Sequence, residues 1–420
     1  MILILIPLIL ILALFGVPLF IALSGFAFLG FHAAQIPLPA FIVEVYRMTS
    51  APALLAIPLF IFAGTVLARS NAPQRLVGFT DALFGWIPGG LALVSIVVCA
   101  FFTAFTGASG ITIVALGGIL YPALIKRTYP ERFSLGLLTT SGSIGLLFPP
   151  SLPVILYAVV AKVNIDQLFL AGLIPGLILV TTMAIYSGKV GMDLPQAKNK
   201  LSFTKIKKAM KNSAWELPLP FMILGGIYGG IFTATEAASV TAAYVLIVEV
   251  LIQKDIHWKK DLPNIMKESA VLTGCILIIL SAALGLTNYL IDQQVPMKIL
   301  DWMRGFITHK LYFLMLLNVF LVVVGCLIDI FSAIVVVVPL IVPIAMSFGV
   351  DPLHLGIIFL VNLEMGYSTP PVGINLFLSS MRFEKPMTTL YRSVLPFLIL
   401  RILALAAITY LPFLSLWLIR

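Results

Sequence analysis

Residues 107–150 read GASGITIVALGGILYPALIKRTYPERFSLGLLTTSGSIGLLFPP, and residues 328–371 read IDIFSAIVVVVPLIVPIAMSFGVDPLHLGIIFLVNLEMGYSTPP. The two stretches align without a gap at a spacing of 221 residues. Pro122 falls on Pro343, Gly145 on Gly366, Pro149 on Pro370 and Pro150 on Pro371, and the same spacing pairs Gly64 with Gly285 and Pro175 with Pro396. Proline and glycine are common here, 27 and 31 residues, so single coincidences carry no weight. Six in one register, including a double proline, indicate a duplicated half, the usual origin of secondary-transporter folds.

Working outward, composition fixes the surroundings of this repeat. The 420 residues are 61% hydrophobic and only 10% charged, with a mean hydropathy of +1.12, whereas a soluble domain carries about 25% charge. The chain is therefore a polytopic membrane protein, and at about 20 residues per span its length admits roughly ten to twelve membrane segments. Long runs of Leu, Ile and Ala without alternation argue for helices over a barrel. The stretch 2–32 lacks a basic leader and a small-residue cleavage site, so it reads as a retained helix divided or kinked at Gly16 and Pro18.

Charge orients the halves. The turn after Pro122 carries Lys126, Arg127 and Arg132, while its counterpart after Pro343 has no Lys or Arg and contains Asp351. Basic loops face the cytoplasm, so the two copies run in opposite directions. Seven lysines between Lys189 and Lys211, and those between Lys254 and Lys267, then also lie inside. The segment 197–214, with Leu201, Ile206, Ala209 and Met210 among lysines, reads either as an amphipathic arm on the anionic inner leaflet or as a hydrated linker. The net charge of +9 has this topological explanation, and no aromatic-interleaved basic stripe points to nucleic acid. Cys99, Cys275 and Cys326 and the four histidines show no metal-ligand spacing.

The apolar runs 110–125, 151–162, 332–348 and 371–380 are short, and each borders a cluster of Gly, Pro or Ser where a helix stops. In a bilayer, non-helical backbone survives only where protein buries it or where it lines a wet cavity. The breaks at 106–112 and 142–151, and their copies at 328–333 and 362–373, are thus the candidate site. Freed carbonyls with Ser and Thr hydroxyls suit a hard monovalent cation such as sodium, while helix starts attract anions. The polar groups placed near a substrate cavity are Ser109, Thr112, Ser151, Asn362, Ser368, Thr369 and Asn375, although hydroxyls in membrane helices often bond only their own backbone. Asp329 and Glu364 stand at membrane depth at considerable cost. Each is either part of a cation or proton site, or a helix cap or the partner of a mobile lysine.

The segments at 107–158, at 168–176 (LFLAGLIPG), at 225–244 (GGIYGGIFTATEAASVTAAY) and at 350–378 (VDPLHLGIIFLVNLEMGYSTPPVGINLFL) together resemble the large membrane subunit of tripartite ATP-independent periplasmic (TRAP) transporters over essentially the whole chain. The resemblance implies an all-α polytopic protein built from inverted repeats, with two reentrant hairpins and two interrupted transmembrane helices, working as a sodium-driven elevator in a bacterial or archaeal inner membrane. It divides the chain into scaffold helices at 1–69; linker and transport elements at 70–190, with a hairpin at about 91–125 and a broken helix at about 133–163; an arm and scaffold helices at 191–291; and linker and transport elements at 292–420, with a hairpin at about 314–348, a broken helix at about 353–380 and the last helix. It implies Na+ as coupling ion, a separate small four-helix membrane subunit, a periplasmic binding protein that delivers an organic carboxylate, and membrane lipids around the arms.

Carried over by motif, one sodium site involves Thr106, Gly107 and Ser109 with Gly145 and Pro149, and the other Asp329 and Ser332 with Gly366, Thr369 and Pro370. The family's first hairpin reads Ser-Gly-Ser-Ser, so Ala108 removes one expected hydroxyl. Glu236, in a segment resembling the family signature with Ala234 for proline, reads as a helix-start cap. No phosphate-binding loop is present, consistent with a process driven by a gradient. Sodium entry is favoured by about 2.3 kcal/mol per charge per 100 mV, so two or more sodium ions per monoanion would make uptake electrogenic and able to concentrate the substrate. The competing readings are a cation/proton antiporter in which Asp329 and Glu364 titrate, and a membrane-embedded enzyme using one of them or a histidine as base. Dicarboxylates, sialic acids, keto acids and sugar acids all remain possible cargoes.

Overall fold

The computed structural model describes residues 7, 9, 17–37, 39, 41–43, 46, 52–194, 202–307 and 309–419, and all regular structure among them is helical. Most of the expected first helix before Pro18, and residues 197–201 of the lysine-rich segment, lie outside the described residues. The helices are α1 (Leu19–Ala33), α2 (Ala56–Arg69), α3 (Ala72–Phe84), α4 (Gly90–Thr106), α5 (Ser109–Lys126), α6 (Glu131–Ile144), α7 (Leu152–Ala161) and α8 (Ile165–Met192). They continue as α9 (Phe203–Asn212), α10 (Pro218–Tyr228), α11 (Ala234–Leu246), α12 (Leu262–Asp292), α13 (Val295–Arg304), α14 (Lys310–Leu327), α15 (Ile330–Ser347), α16 (Pro352–Gly366), α17 (Ile374–Phe383), α18 (Met387–Tyr410) and α19 (Phe413–Leu416).

The 221-residue register is visible helix by helix. α5 maps onto α15 end to end, and α6 and α7 map onto α16 and α17 within a residue or two. Both double prolines are in the cis form. The turn residues Thr128 and Gly349, one register apart, both take positive φ, at 61° and 71°. Seven described helices are long and apolar enough to cross a membrane, eight if the bent pair α6–α7 counts as one span, and five more are apolar but shorter. Among the described residues, breaks divide much of the apolar sequence into half-length helices. The polar stretch 254–268 is also not a separate segment: its residues from Leu262 onward form the first turns of α12.

Gly145 and Gly366 explain how a broken helix lies so near its neighbour. A Cβ on Gly145 would stand 2.2 Å from the Ala100 carbonyl oxygen in α4, and one on Gly366 would stand 2.5 Å from the Gly325 carbonyl carbon in α14. Only a residue without a side chain permits such backbone contact. The halves also interlock: α5 packs on α17 of the other copy, and α15 on α7. A second set, α1, α2, α11 and α12, packs largely within itself. Its α2 meets the break of the first copy through Gly64, whose Cβ would lie 2.5 Å from the Phe105 carbonyl oxygen.

A hub of charge ties the connecting helix α3 to two loops. Arg75 bonds Glu216 at 2.6 Å, Glu249 at 3.0 Å and Asp255 at 2.5 Å, and Asn71 also donates to Asp255. Replacing Gly145 or Gly366 by Ala is expected to lower the detergent melting temperature by the equivalent of about 1–3 kcal/mol of overpacking. Gly274→Ala, in α12 with nothing within 4 Å of the added carbon, should leave it unchanged or higher. Equal melting of all three variants would refute the close-contact argument.

Candidate functional site

The first break folds the chain back sharply. Thr103 and Thr112 lie nine residues apart, which in a continuous helix spans about 13 Å, yet their hydroxyl oxygens are 2.6 Å apart. Gly107, at φ 64°, ends α4 by donating its N–H to the Thr103 carbonyl. Thr103 also donates to the Gly142 carbonyl at 2.8 Å, so the Thr103–Thr112 pair fastens this tip to α6. Ser109 Oγ donates to Asn375 Oδ1 at 2.7 Å, joining the first tip to α17 of the other copy.

The second tip is built differently. Asp329 caps α15: its Oδ1 accepts from the N–H groups of Phe331 and Ser332 at 3.0 Å, and its Oδ2 accepts from the Ser332 hydroxyl at 2.5 Å. Tyr367 accepts the Ile330 N–H through its phenolic oxygen. Ala108 is the position equivalent to Asp329, and it offers no side-chain cap to α5. One helix start therefore has its first amides occupied by a carboxylate, while the other keeps them free, a local environment that favours an anion.

Both tips open on one cavity of about 630 Å³. Gly107, Ala108 and Ser109 form one side, Asp329, Ile330 and Phe331 another, and Thr65 and Arg69 of α2 face Glu268 and Leu272 of α12. Ile111, Val114 and Leu378 leave much of the remaining wall apolar. Of the residues singled out from the sequence, Gly107, Ser109 and Asp329 line this space, and Asn375 stands directly behind Ser109.

The others lie elsewhere around the tips. Thr106 directs its hydroxyl toward the Ala108 carbonyl at 3.4 Å, Ser332 serves Asp329, and Thr112 is used in the tip fastening. Gly145 and Gly366 form backbone contacts, and Pro149 borders a separate apolar pocket with Phe101, Phe148 and Pro220. Thr369 donates to the Met365 carbonyl at 2.7 Å and is followed by the exposed Pro370. Asn362 is off the cavity wall, donating to Asn318 Oδ1 at 2.8 Å and to the Ile358 carbonyl. Ser151 and Ser368 are fully buried, and neither hydroxyl has a protein partner.

The two carboxylates at membrane depth have separate explanations. Asp329 is a helix cap on the cavity wall. Glu364 pairs with Arg401 of α18 at 3.0 Å, both fully buried, so its partner is an arginine of the last long helix, a possibility the sequence reading did not consider. Arg401 also approaches Ser143 and the Thr140 carbonyl at 3.4 Å. Sequence reading missed Arg69 and Glu268 as well, since each lies at an apolar segment's end and resembles an ordinary flanking charge. Glu236 does cap α11, in a reciprocal box with Thr233.

Arg401→Met alone strands a buried carboxylate and should destabilise the protein by about 3–5 kcal/mol, whereas the double variant Glu364→Gln, Arg401→Met should recover part of that. Denaturation in detergent measures both. Equal loss in single and double variants would show that the pair is not the source.

The profile described as "Tripartite ATP-independent periplasmic transporter, DctM component" matches residues 2–414. The chain is 34% identical over 376 residues to the C4-dicarboxylate TRAP transporter large permease protein DctM of Pseudomonas aeruginosa, covering 89% of this chain and 88% of that one. It is 35% identical over 405 residues to the isethionate TRAP transporter permease protein DctMQ of Oleidesulfovibrio alaskensis, covering 94% of this chain and 63% of that longer protein. Among solved structures, the YdaH transporter of Alcanivorax borkumensis has a similar fold, with a TM-score of 0.64 at 13% identity over 90% of this chain and 87% of its own.

Proposed function

The chain belongs to the tripartite ATP-independent periplasmic transporters as their large permease, the DctM component, and from this footing we propose that it carries out sodium-coupled uptake of an organic carboxylate by an elevator movement. It is a multi-pass inner-membrane transporter and not an enzyme. Large permeases of this family work with a small membrane subunit and a periplasmic binding protein. The proposal adds the ion, the cargo class and the movement.

The observation that carries it is the cavity bounded by two unlike tips. The uncapped start of α5 faces the same space as Arg69, and together they favour a carboxylate over a neutral solute. The names of the two relatives specify a C4-dicarboxylate and isethionate, both anions.

The sodium reading rests on the surroundings of the breaks. Ser151, just after the first double proline, and Ser368, just before the second, each hold a fully buried hydroxyl with no protein partner. A buried oxygen of this kind needs a ligand, and hydroxyl and carbonyl oxygen are donors suited to a hard monovalent cation. These two serines, with Thr106, Asp329 and Thr369 close in sequence to them or at the tips, are the residues that would hold it. Bound sodium supplies positive charge beside the anion. The chain's own part is to present the α5 amides to the cargo, while Asp329 caps the start of α15 and keeps its carboxylate at the second tip.

The elevator reading follows from the two packing groups. α5, α7, α15 and α17 interlock across the copies, while α1, α2, α11 and α12 form the wall they abut. The cavity is bounded by the last turn of α2 and early turns of α12, beside the lysine-rich stretch 254–267 that leads into α12. By the distribution of basic residues this is the cytoplasmic side.

Reconstituted with its small subunit and loaded binding protein, the chain should accumulate cargo under an inward sodium gradient and not under a potassium gradient. Equal accumulation under both gradients would refute sodium coupling. Ser151→Ala and Ser368→Ala should each raise the sodium concentration for half-activation about three- to tenfold, the worth of one polar contact. Unchanged activation in both would remove them as ligands.

A further inference from the structure

Three charged side chains line the cavity: Arg69, Glu268 and Asp329. Asp329 is engaged with the start of α15. Arg69 is therefore the cation available to a carboxylate, and in the structure it is held by Glu268. The manner of holding matters. Arg69 Nε and Nη2 both donate to a single oxygen, Glu268 Oε2, at 3.2 and 2.8 Å. A guanidinium bonds most strongly when its two N–H groups meet the two oxygens of one carboxylate. This arrangement falls short of that, and Arg69 and Glu268 are 62% and 48% exposed, so water screens the pair. It is built to be exchanged.

Position supports the exchange. Gly64 sets α2 directly against the first tip, and Arg69 follows five residues later, about 7.5 Å along the helix. A long side chain spans that distance. Thr65, one turn earlier, gives its hydroxyl to its own helix through the Ile61 carbonyl and competes for nothing. Arg69 also belongs to the wall group of helices and the tips to the other, so a solute between them is held from both bodies.

We propose that Arg69 is the carboxylate-recognising residue of this cavity and that Glu268 is a built-in surrogate, holding the guanidinium until a carboxylate of the cargo takes its place. The inference rests on the reading that the cavity carries an organic carboxylate, and adds which residue recognises it and what the incoming anion must displace. Neutralising the surrogate then tightens binding, while removing the guanidinium weakens it. A merely structural ion pair predicts the same direction for both.

The test uses the complex of this chain with its small subunit in proteoliposomes, with the binding protein and whichever of succinate, N-acetylneuraminate, pyruvate or gluconate the unaltered complex accumulates. Because the cavity faces the inner side, the lumen is loaded with the same anion, and the luminal concentration that halves uptake is measured. Glu268→Gln should lower that concentration threefold or more. Arg69→Gln should raise it at least tenfold, and Arg69→Lys by less, with the sodium concentration for half-activation staying within twofold in all three. Should Arg69→Gln abolish uptake altogether, the Glu268→Gln result decides alone. A half-inhibiting concentration that is unchanged or raised in Glu268→Gln overturns the proposal, as does an unchanged value in Arg69→Gln. An unaltered complex that accumulates none of these four carboxylates under a sodium gradient overturns the proposed function itself.

Discussion

A peptide group in hydrocarbon has no water to bond, so every N–H and C=O there must find a partner within the protein. The rest of the architecture can be read from that constraint. At the first tip, the Thr103–Thr112 pair and the Gly142 carbonyl absorb the turn. At the second, Asp329 and Tyr367 take the leading amides of α15. Gly145 and Gly366 then let each broken helix lie directly against a hairpin arm. The amides opening α5, where Ala108 supplies no side-chain cap, face the cavity.

The duplicated design is thus used unequally. One register apart stand a small apolar residue and a carboxylate, Ala108 and Asp329, and they give two similar helix starts opposite electrostatic characters. The first is receptive to negative charge, and the second has already satisfied that preference. A common backbone frame with a local difference of this kind gives the two ends of one cavity unlike surroundings.

Much of this was legible in the sequence because backbone constraints are local and leave residue-type signatures. The double prolines, the paired glycines and the Lys/Arg asymmetry of two turns revealed the repeat, the breaks and the orientation. Ser109 and Asn375, named separately from two distant breaks, meet at 2.7 Å. Side-chain partnerships across hundreds of residues leave no comparable trace. Arg69 with Glu268 is separated by 199 positions, and Glu364 with Arg401 joins two helices whose periodicity says nothing of their contact. Asn362 shows the converse, since a polar residue beside a break served helix packing with Asn318.

The exchange of arms between the copies, α5 on α17 and α15 on α7, has an evolutionary corollary. A lone ancestral half would have left the sides of its own arms bare, with nothing in its own chain to cover them. A second half inserted the other way up supplies the cover each set of arms lacks. The cavity lies where the tips of the two copies come together.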